Sequence, residues 1–271
     1  MSLELWQEII GQGLIYSLVT IGMYLTQRIL RVDDLACEGS FSTGGAVTAK
    51  GLLLGISPVL MLPLALISGL FVGVMTGFIH AKLRIPVLLA GLCATCALFS
   101  TNLSLVGSNL SLPDYQPPGL FGLLMLCLLI LFLKHWFLST EIGLLLRASG
   151  DNPQMLIGLG KNPLHYKMLG LALANGLAAL SGALFVQWIG FFSITGSIGI
   201  FMIGLASLML AKLFNRYVLV GLLIGSILYQ MVFAIVIELG MPPVWNNFVK
   251  AVFLIILMQM TMKKNSLRSA C

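Results

Sequence analysis

Nine long runs of apolar residues divide this chain, and its polar residues collect between them. The runs cover Ile9–Leu30, Ser40–Gly55, Pro58–Ile79, Ile85–Leu103, Leu120–Phe137, Met168–Ile189, Ile198–Leu213, Leu219–Leu239 and Trp245–Met262. Each predicts a membrane-crossing helix, because about 20 apolar residues span the hydrocarbon core of a bilayer. Two runs, Ser40–Gly55 and Ile198–Leu213, are short for a full crossing. Both follow glycine-rich stretches, Glu38-Gly-Ser-Phe-Ser-Thr-Gly-Gly45 and Thr195-Gly-Ser-Ile-Gly199, and both predict short or broken helices. The expected fold is all-α, a polytopic integral membrane protein of about nine crossings, with residues 1–271 forming one domain.

Composition agrees with the pattern. Of 271 residues, 59% are hydrophobic and 9% charged, against about 45–50% and about 25% in soluble domains. A soluble enzyme, a disordered tail and a disulfide-rich secreted domain are excluded. The net charge of +6 does not point to nucleic acid, because the cations are scattered between apolar runs. Placing the C-terminus in the cytoplasm and the N-terminus outside puts 13 of the 15 basic residues inside: Arg28, Arg31, Lys82, Arg84, Lys134, Arg147, Lys161, Lys167, Lys212, Arg216, Lys263, Lys264 and Arg268. Cytoplasmic loops are enriched in Lys and Arg, so this orientation is expected. Lys50 and Lys250 fall at outer span ends, where long stems snorkel. The N-terminus has no basic region ahead of its first run, so that run is expected to stay as a membrane helix. Cys93-Ala-Thr-Cys96 has no partner pair for a metal and predicts small buried cysteines on a helix.

A shift of 157 residues lays Gly39-Ser40 on Gly196-Ser197 and Pro86 on Pro243, and superimposes Ile10–Leu30 on Lys167–Gln187. An odd number of crossings separates the copies. The halves, about 9–103 and 167–262, are therefore expected to have inverted topology, a plan common in transporters.

Two polar segments interrupt the apolar runs. The outer one, Ser104–Pro118, contains Asn109, Asp114, Tyr115 and Gln116 with three prolines; it reads as a docking loop or a plain turn. The inner one, residues 139–166, spells a short helix. Asn152 suits the N-cap and Pro153 the first helical position. Gly160 suits the left-handed residue past the end, and Pro163 stops continuation. Met155, Leu156, Ile157 and Leu159 give this helix an apolar face, which fits a groove on a cytoplasmic partner or the lipid interface.

The stretch Arg147-Ala-Ser-Gly-Asp151-Asn-Pro-Gln-Met-Leu-Ile-Gly-Leu-Gly160-Lys-Asn resembles the coupling loop of bacterial ABC importer permeases, in particular the branched-chain amino acid and ribose-type superfamily. Asp34-Leu-x-x-Glu38-Gly-Ser-Phe, Leu171-Ala-Leu-Ala-Asn175-Gly-Leu-Ala-Ala-Leu-Ser181 and Gly204-Leu-Ala-Ser-Leu resemble further segments of that superfamily, in family order. Lys161 stands where the family usually has an aliphatic residue. The resemblance implies a permease that translocates a small organic solute, amino-acid-like and in one subfamily aromatic. It implies cytoplasmic ABC ATPase subunits as partners, an extracytoplasmic binding protein and a second permease copy, in the inner membrane. Coupling to the ATPase is expected at Arg147, Gly150, Asp151, Asn152, Pro153, Met155, Leu156, Leu159 and Gly160.

No catalytic residue, metal site or cofactor is expected. The chain has no GxxxxGK[ST], HExxH or GxSxG motif, so it has no ATPase site of its own by that route. Polar residues inside apolar runs are functional candidates, because burying them in lipid is costly. Those of the translocation pathway are Glu38, Ser40, Asn175, Gln187, Gln230 and Glu238, with helix-to-helix adhesion as the alternative for the amides and helix capping for Glu38. Asp33 and Asp34 are expected to pair with Arg28 or Arg31. Trp188, Phe191, Phe192 and Tyr229 read as lining for an aromatic solute or as an interfacial belt. A stand-alone secondary transporter or channel is the competing function.

Overall fold

The structure, a computed structural model, describes residues 3–112, 117–213, 218–238, 240 and 245–269. Asp114, Tyr115 and Gln116 of the outer loop, Arg216, Pro243 and Cys271 lie outside the described residues.

The described residues are almost wholly helical: α1 (Leu3–Met23) running into a π-helical turn (Tyr24–Leu30), α2 (Ala36–Leu53), α3 (Pro58–Leu83), α4 (Val87–Val106), α5 (Leu120–Ser139), α6 (Glu141–Asp151), α7 (Pro153–Gly158), α8 (Pro163–Ile189), α9 (Ile200–Leu213), α10 (Val218–Glu238) and α11 (Asn246–Ser269). This is the expected all-helical class, with one short ribbon among the described residues. Strand β1 (Asn109–Ser111) pairs antiparallel with β2 (Phe191–Ser193), tying the end of α4 to the end of α8.

Helices occupy all nine predicted runs, yet seven among the described residues are long and apolar enough to cross a membrane. The other two are α2 and α11. Among the described residues, the apolar stretch of α11 is the shorter Asn247–Thr261. Helix α2 is crowded with Gly, Ser and Thr, and the packing explains why: it is buried on most sides by α8, α3 and α4 and has little lipid to face.

The bundle is built around α1 and α8, whose spans are 83% and 78% buried. Leu14, Ile15 and Leu18 of α1 meet Leu180 and Leu184 of α8 and Leu208 and Leu222 beyond. Helix α3 lies flush on α8 because Gly69, Gly73 and Gly77 form one face; a Cβ at Gly69 or Gly73 would collide with the backbone at Asn175 or Leu171. Small residues permit this approach, and packing rather than burial from water holds helices together in lipid. The outward faces of α3 and α5 carry Ile67, Phe71, Phe121 and Phe132, apolar groups that suit lipid.

Helix α4 corrects one expectation. It packs through Val87, Ala90, Gly91, Ala94 and Asn102, spaced as one helical face. Cys93 and Cys96 fall on the opposite face and are exposed, not buried.

Candidate functional site

The chain leaves α1 at Arg31, which adopts the left-handed region at φ 56°, and reaches α2 through Val32–Leu35. This short connection turns inward, so Asp34 is fully buried beside the middle of α8. Its Oδ1 accepts from Ala36 N at 2.9 Å, fixing the start of α2. Its Oδ2 accepts from Asn175 Nδ2 at 2.6 Å. The same amide nitrogen donates to Leu171 O at 2.9 Å, and Asn175 Oδ1 accepts from Ser40 Oγ at 2.6 Å. Ser40 and Asn175, both pathway candidates, are thus brought together and satisfied in one buried network with Asp34.

The aspartates do not pair as expected. Asp33 accepts from Gln27 Nε2 at 2.9 Å, while Asp34 goes to Asn175. A backbone that turns inward after Arg31 buries Asp34 against α8 while Arg31 stays exposed.

Glu38 joins the two glycine-rich breaks. Its Oε1 accepts from Gly199 N at 3.0 Å and Phe201 N at 3.2 Å. It therefore caps the start of α9, not of its own helix. A carboxylate there satisfies amide donors that the helix leaves free and meets the positive end of the helix dipole. Lys250 of α11 also reaches this corner, its Nζ 3.7 Å from where a Cβ at Gly199 would stand and 5.8 Å from the Phe233 ring centroid.

The remaining pathway candidates lie apart. Gln187 donates to Pro58 O at 3.0 Å. Gln230 donates to Gln12 Oε1 at 2.9 Å, and both amides line a cleft of about 250 Å³ with Glu8 and Glu238. Trp188 closes the α1–α8 contact by donating to Glu8 Oε2 at 2.9 Å. Tyr229 is buried and stacked on Phe233 at 5.7 Å.

The second candidate region is the hairpin α6–α7. Asn152 caps α7 as expected, accepting from Met155 N at 3.3 Å. Gly160 takes φ 73°. Gly160 N donates to Ile157 O and Lys161 N to Leu156 O, each at 2.9 Å, the paired bonds of a left-handed C-terminal cap. Pro163 opens α8 at its first helical position, with Asn162 as cap; the sixth span therefore begins five residues before Met168. Asp151 ends α6, outside the short helix.

Three restraints hold this hairpin. Arg31 and Asp151 form a salt bridge of 2.5 Å. Gly150 abuts the π-helical turn so closely that a Cβ would collide with Ile29 O. Leu156 is fully buried, whereas Met155, Ile157 and Leu159 are exposed. Arg147, Asn152, Pro153 and Gly160 are also exposed or half-buried around them. Arg31 is not among the expected coupling residues, Ile157 is expected on the apolar face of the short helix but not among those residues, and Arg147, Gly150 and Asp151 prove to lie on a helix of their own, α6. Thr140, which accepts from Gly143 N at 3.3 Å, is the capping signal that marks the start of α6.

Residues 6–258 match the family model described as "Branched-chain amino acid transport system / permease component". The chain is 35% identical to the tyrosine transport system permease protein of Clostridioides difficile (strain R20291), over 86% of this chain and 83% of that one. It is 26% identical to the autoinducer 2 import system permease protein LsrC of Yersinia pseudotuberculosis serotype O:3 (strain YPIII), over 94% of this chain and 76% of that one. No solved structure matches the chain.

Proposed function

We propose that this chain, which belongs to the family of branched-chain amino acid transport system permease components, is the membrane-spanning subunit of an ATP-driven importer. The observation that carries this reading is the α7 helix. Met155, Ile157 and Leu159 stand exposed while Leu156, Gly150 and the Arg31–Asp151 pair anchor the hairpin to α1 and α8. A short helix rigidly fixed to the bundle, with bare apolar side chains, fits a groove on a cytoplasmic ATPase. Closure of the ATPase dimer would then move α7, and through these anchors the α1 and α8 core, as a rigid body.

The other subunits follow from the family. A second permease copy completes the translocation path, and an extracytoplasmic binding protein delivers the solute. The solute is small and amino-acid-like, and the tyrosine permease relative favours an aromatic one. The chain crosses the inner membrane nine times, with its N-terminus outside and C-terminus inside. The β1–β2 ribbon then lies outside, and the α6–α7 hairpin, with Lys134, Lys161 and Lys167 on the chain either side of it, lies inside.

The inverted halves find support in helix pairing. Helix α3 packs on α8 as α10 packs on α1, and α2 meets α4 as α9 meets α11. That exchange is expected of two copies related by an axis in the membrane plane. Glu38, Gln230 and Glu238 stay as pathway residues, since each touches a half-buried corner or an open cleft. Ser40, Asn175 and Gln187 serve the pathway by holding its helices.

The test is uptake into proteoliposomes containing the permease, its ATPase and its binding protein. Met155→Glu and Leu159→Glu should abolish ATP-driven uptake while the permease still inserts. Wild-type uptake by these variants overturns the reading, and uptake without any ATPase indicates a stand-alone carrier.

A further inference from the structure

The cleft of about 250 Å³ between α1 and α10 is lined by Glu8, Gln12, Gln230 and Glu238, with Phe233 and Ile237 among its apolar walls. Among the described residues no lysine, arginine or histidine borders it. A chain of hydrogen bonds fixes which way its amides point. Glu8 Oε2 accepts from Gln12 Nε2 at 3.2 Å and from Trp188 Nε1 at 2.9 Å. A carboxylate offers only acceptors, so the nitrogen of Gln12 faces Glu8 and its oxygen faces Gln230. Gln12 Oε1 accordingly accepts from Gln230 Nε2 at 2.9 Å, which leaves the carbonyl oxygen of Gln230 over. Gln230 is only 9% exposed, yet its Oε1 has no donor among the described residues and keeps open surface in the cleft. Glu238 makes no ion pair among them either. The cleft thus holds two negative charges and a spare acceptor, with no counter-charge. Buried polar groups are nearly always paired, so the arrangement asks for a cationic donor from outside the chain.

We propose that this cleft receives a lysine side chain of the extracytoplasmic binding protein, its ammonium held by Glu8, Glu238 and the Gln230 carbonyl oxygen. The proposal rests on the reading of the chain as an import permease and adds the contact by which the binding protein registers on it. Position favours this occupant. Trp188, bonded to Glu8, lies at the end of α8, and the α6–α7 hairpin leads into the start of that helix. The 27 residues of α8 separate the two by about 40 Å, so with α7 on the ATPase the cleft opens on the opposite side of the membrane. Chemistry favours it too. An ammonium has three donors and rides on a slim apolar stem, which suits the Phe233 and Ile237 walls. A hard metal ion wants six or more oxygens, and the carboxylate of an amino-acid-like solute would be repelled by Glu8 and Glu238.

The experiment uses the permease–ATPase complex in nanodiscs and reads the affinity of its binding protein at several NaCl concentrations. Glu238→Gln should weaken binding about tenfold, the effect of one lost charge-assisted hydrogen bond, and flatten its salt dependence. Gln230→Leu, which removes the spare acceptor, should weaken it several-fold. Glu141→Gln, at an exposed carboxylate where α6 begins on the hairpin side, should change nothing. In the wild-type complex a carbodiimide, which condenses a carboxylate with an amine in contact with it, should join Glu8 or Glu238 to a lysine of the binding protein, read by mass spectrometry. Unchanged affinity and salt dependence in Glu238→Gln, or the absence of that cross-link, overturns the proposal. Normal binding-protein affinity with impaired uptake in Glu238→Gln gives the cleft to the solute and overturns it likewise. A wild-type complex that neither binds a binding protein nor couples ATP hydrolysis to uptake overturns the permease reading as well.

Discussion

Arg31 holds Asp151 through a salt bridge of 2.5 Å, joining the end of the π-helical turn to the end of α6 across 120 residues of chain. The side chains are 63% and 58% exposed, and an exposed pair contributes about 0–1 kcal/mol. Its role is positional: it fixes the direction from which α7 leaves the bundle. Arg31→Asp or Asp151→Arg should therefore reduce coupled uptake several-fold with little change in unfolding temperature. The double exchange should recover it. Uptake assays of the three variants beside thermal unfolding in detergent separate the two effects.

Gly150 tests the same joint by sterics. A methyl group there collides with Ile29 O, and overpacking of this kind costs about 1–3 kcal/mol. Gly150→Ala should push α6 off the π-helical turn, lowering the unfolding temperature and ATP-stimulated uptake together. Gly158, where a Cβ meets nothing within 4 Å, is the control, and Gly158→Ala should leave both unchanged.

Asn175 serves Asp34, Ser40 and Leu171 O at once. Asn175→Leu removes all three bonds and leaves the Asp34 carboxyl short of a donor inside the bundle. An unsatisfied buried group costs about 1–3 kcal/mol, more when charged. Ser40→Ala removes one neutral bond and should cost about 1 kcal/mol. The expected order of unfolding temperatures in lipid nanodiscs is wild type, Ser40→Ala, Asn175→Leu.

How much of this was legible in the sequence depended on distance along the chain. The α7 helix could be read residue by residue, because Asn152, Pro153 and Gly160 act on backbone groups one to four residues away. That a helix occupies each of the nine predicted runs was legible for the same local reason. What α2 packs against was not: its Gly and Ser residues signal a break equally well as they signal burial under α8, and only the fold decides. Glu38 shows the limit most clearly. A carboxylate at the start of a helix predicts a cap for that helix, but its partners are Gly199 and Phe201, more than 160 residues away. Cys93 and Cys96 were misplaced because an apolar run does not disclose which of its faces meets lipid.

Glu38 also yields a pair of variants that separate charge from capping. Glu38→Gln keeps a carbonyl oxygen able to accept from Gly199 N and Phe201 N, and should retain most of the stability. Glu38→Ala frees both donors and should cost about 1 kcal/mol, the usual loss for a helix cap. If the negative charge serves solute passage, Glu38→Gln will fold normally and transport an aminated solute poorly. Equal transport by Glu38→Gln and wild type would assign Glu38 to capping alone.

Lys134 of α5 carries the last prediction. Its ammonium is buried without a hydrogen-bond partner and rests 3.9 Å above the Tyr24 ring centroid, at the first residue of the π-helical turn. The ring face is electron-rich and attracts a desolvated cation, by about 0.5–2 kcal/mol. That attraction offsets only part of the cost of taking a charge out of water. Tyr24→Leu should therefore destabilise the protein by leaving the ammonium beside an apolar wall. Lys134→Leu should be neutral or stabilising, because charge and penalty leave together. The double variant should resemble Lys134→Leu. Unfolding temperatures of the three proteins in one detergent decide the matter, and a strongly destabilised Lys134→Leu would show that the cation holds the α1–α5 contact by itself.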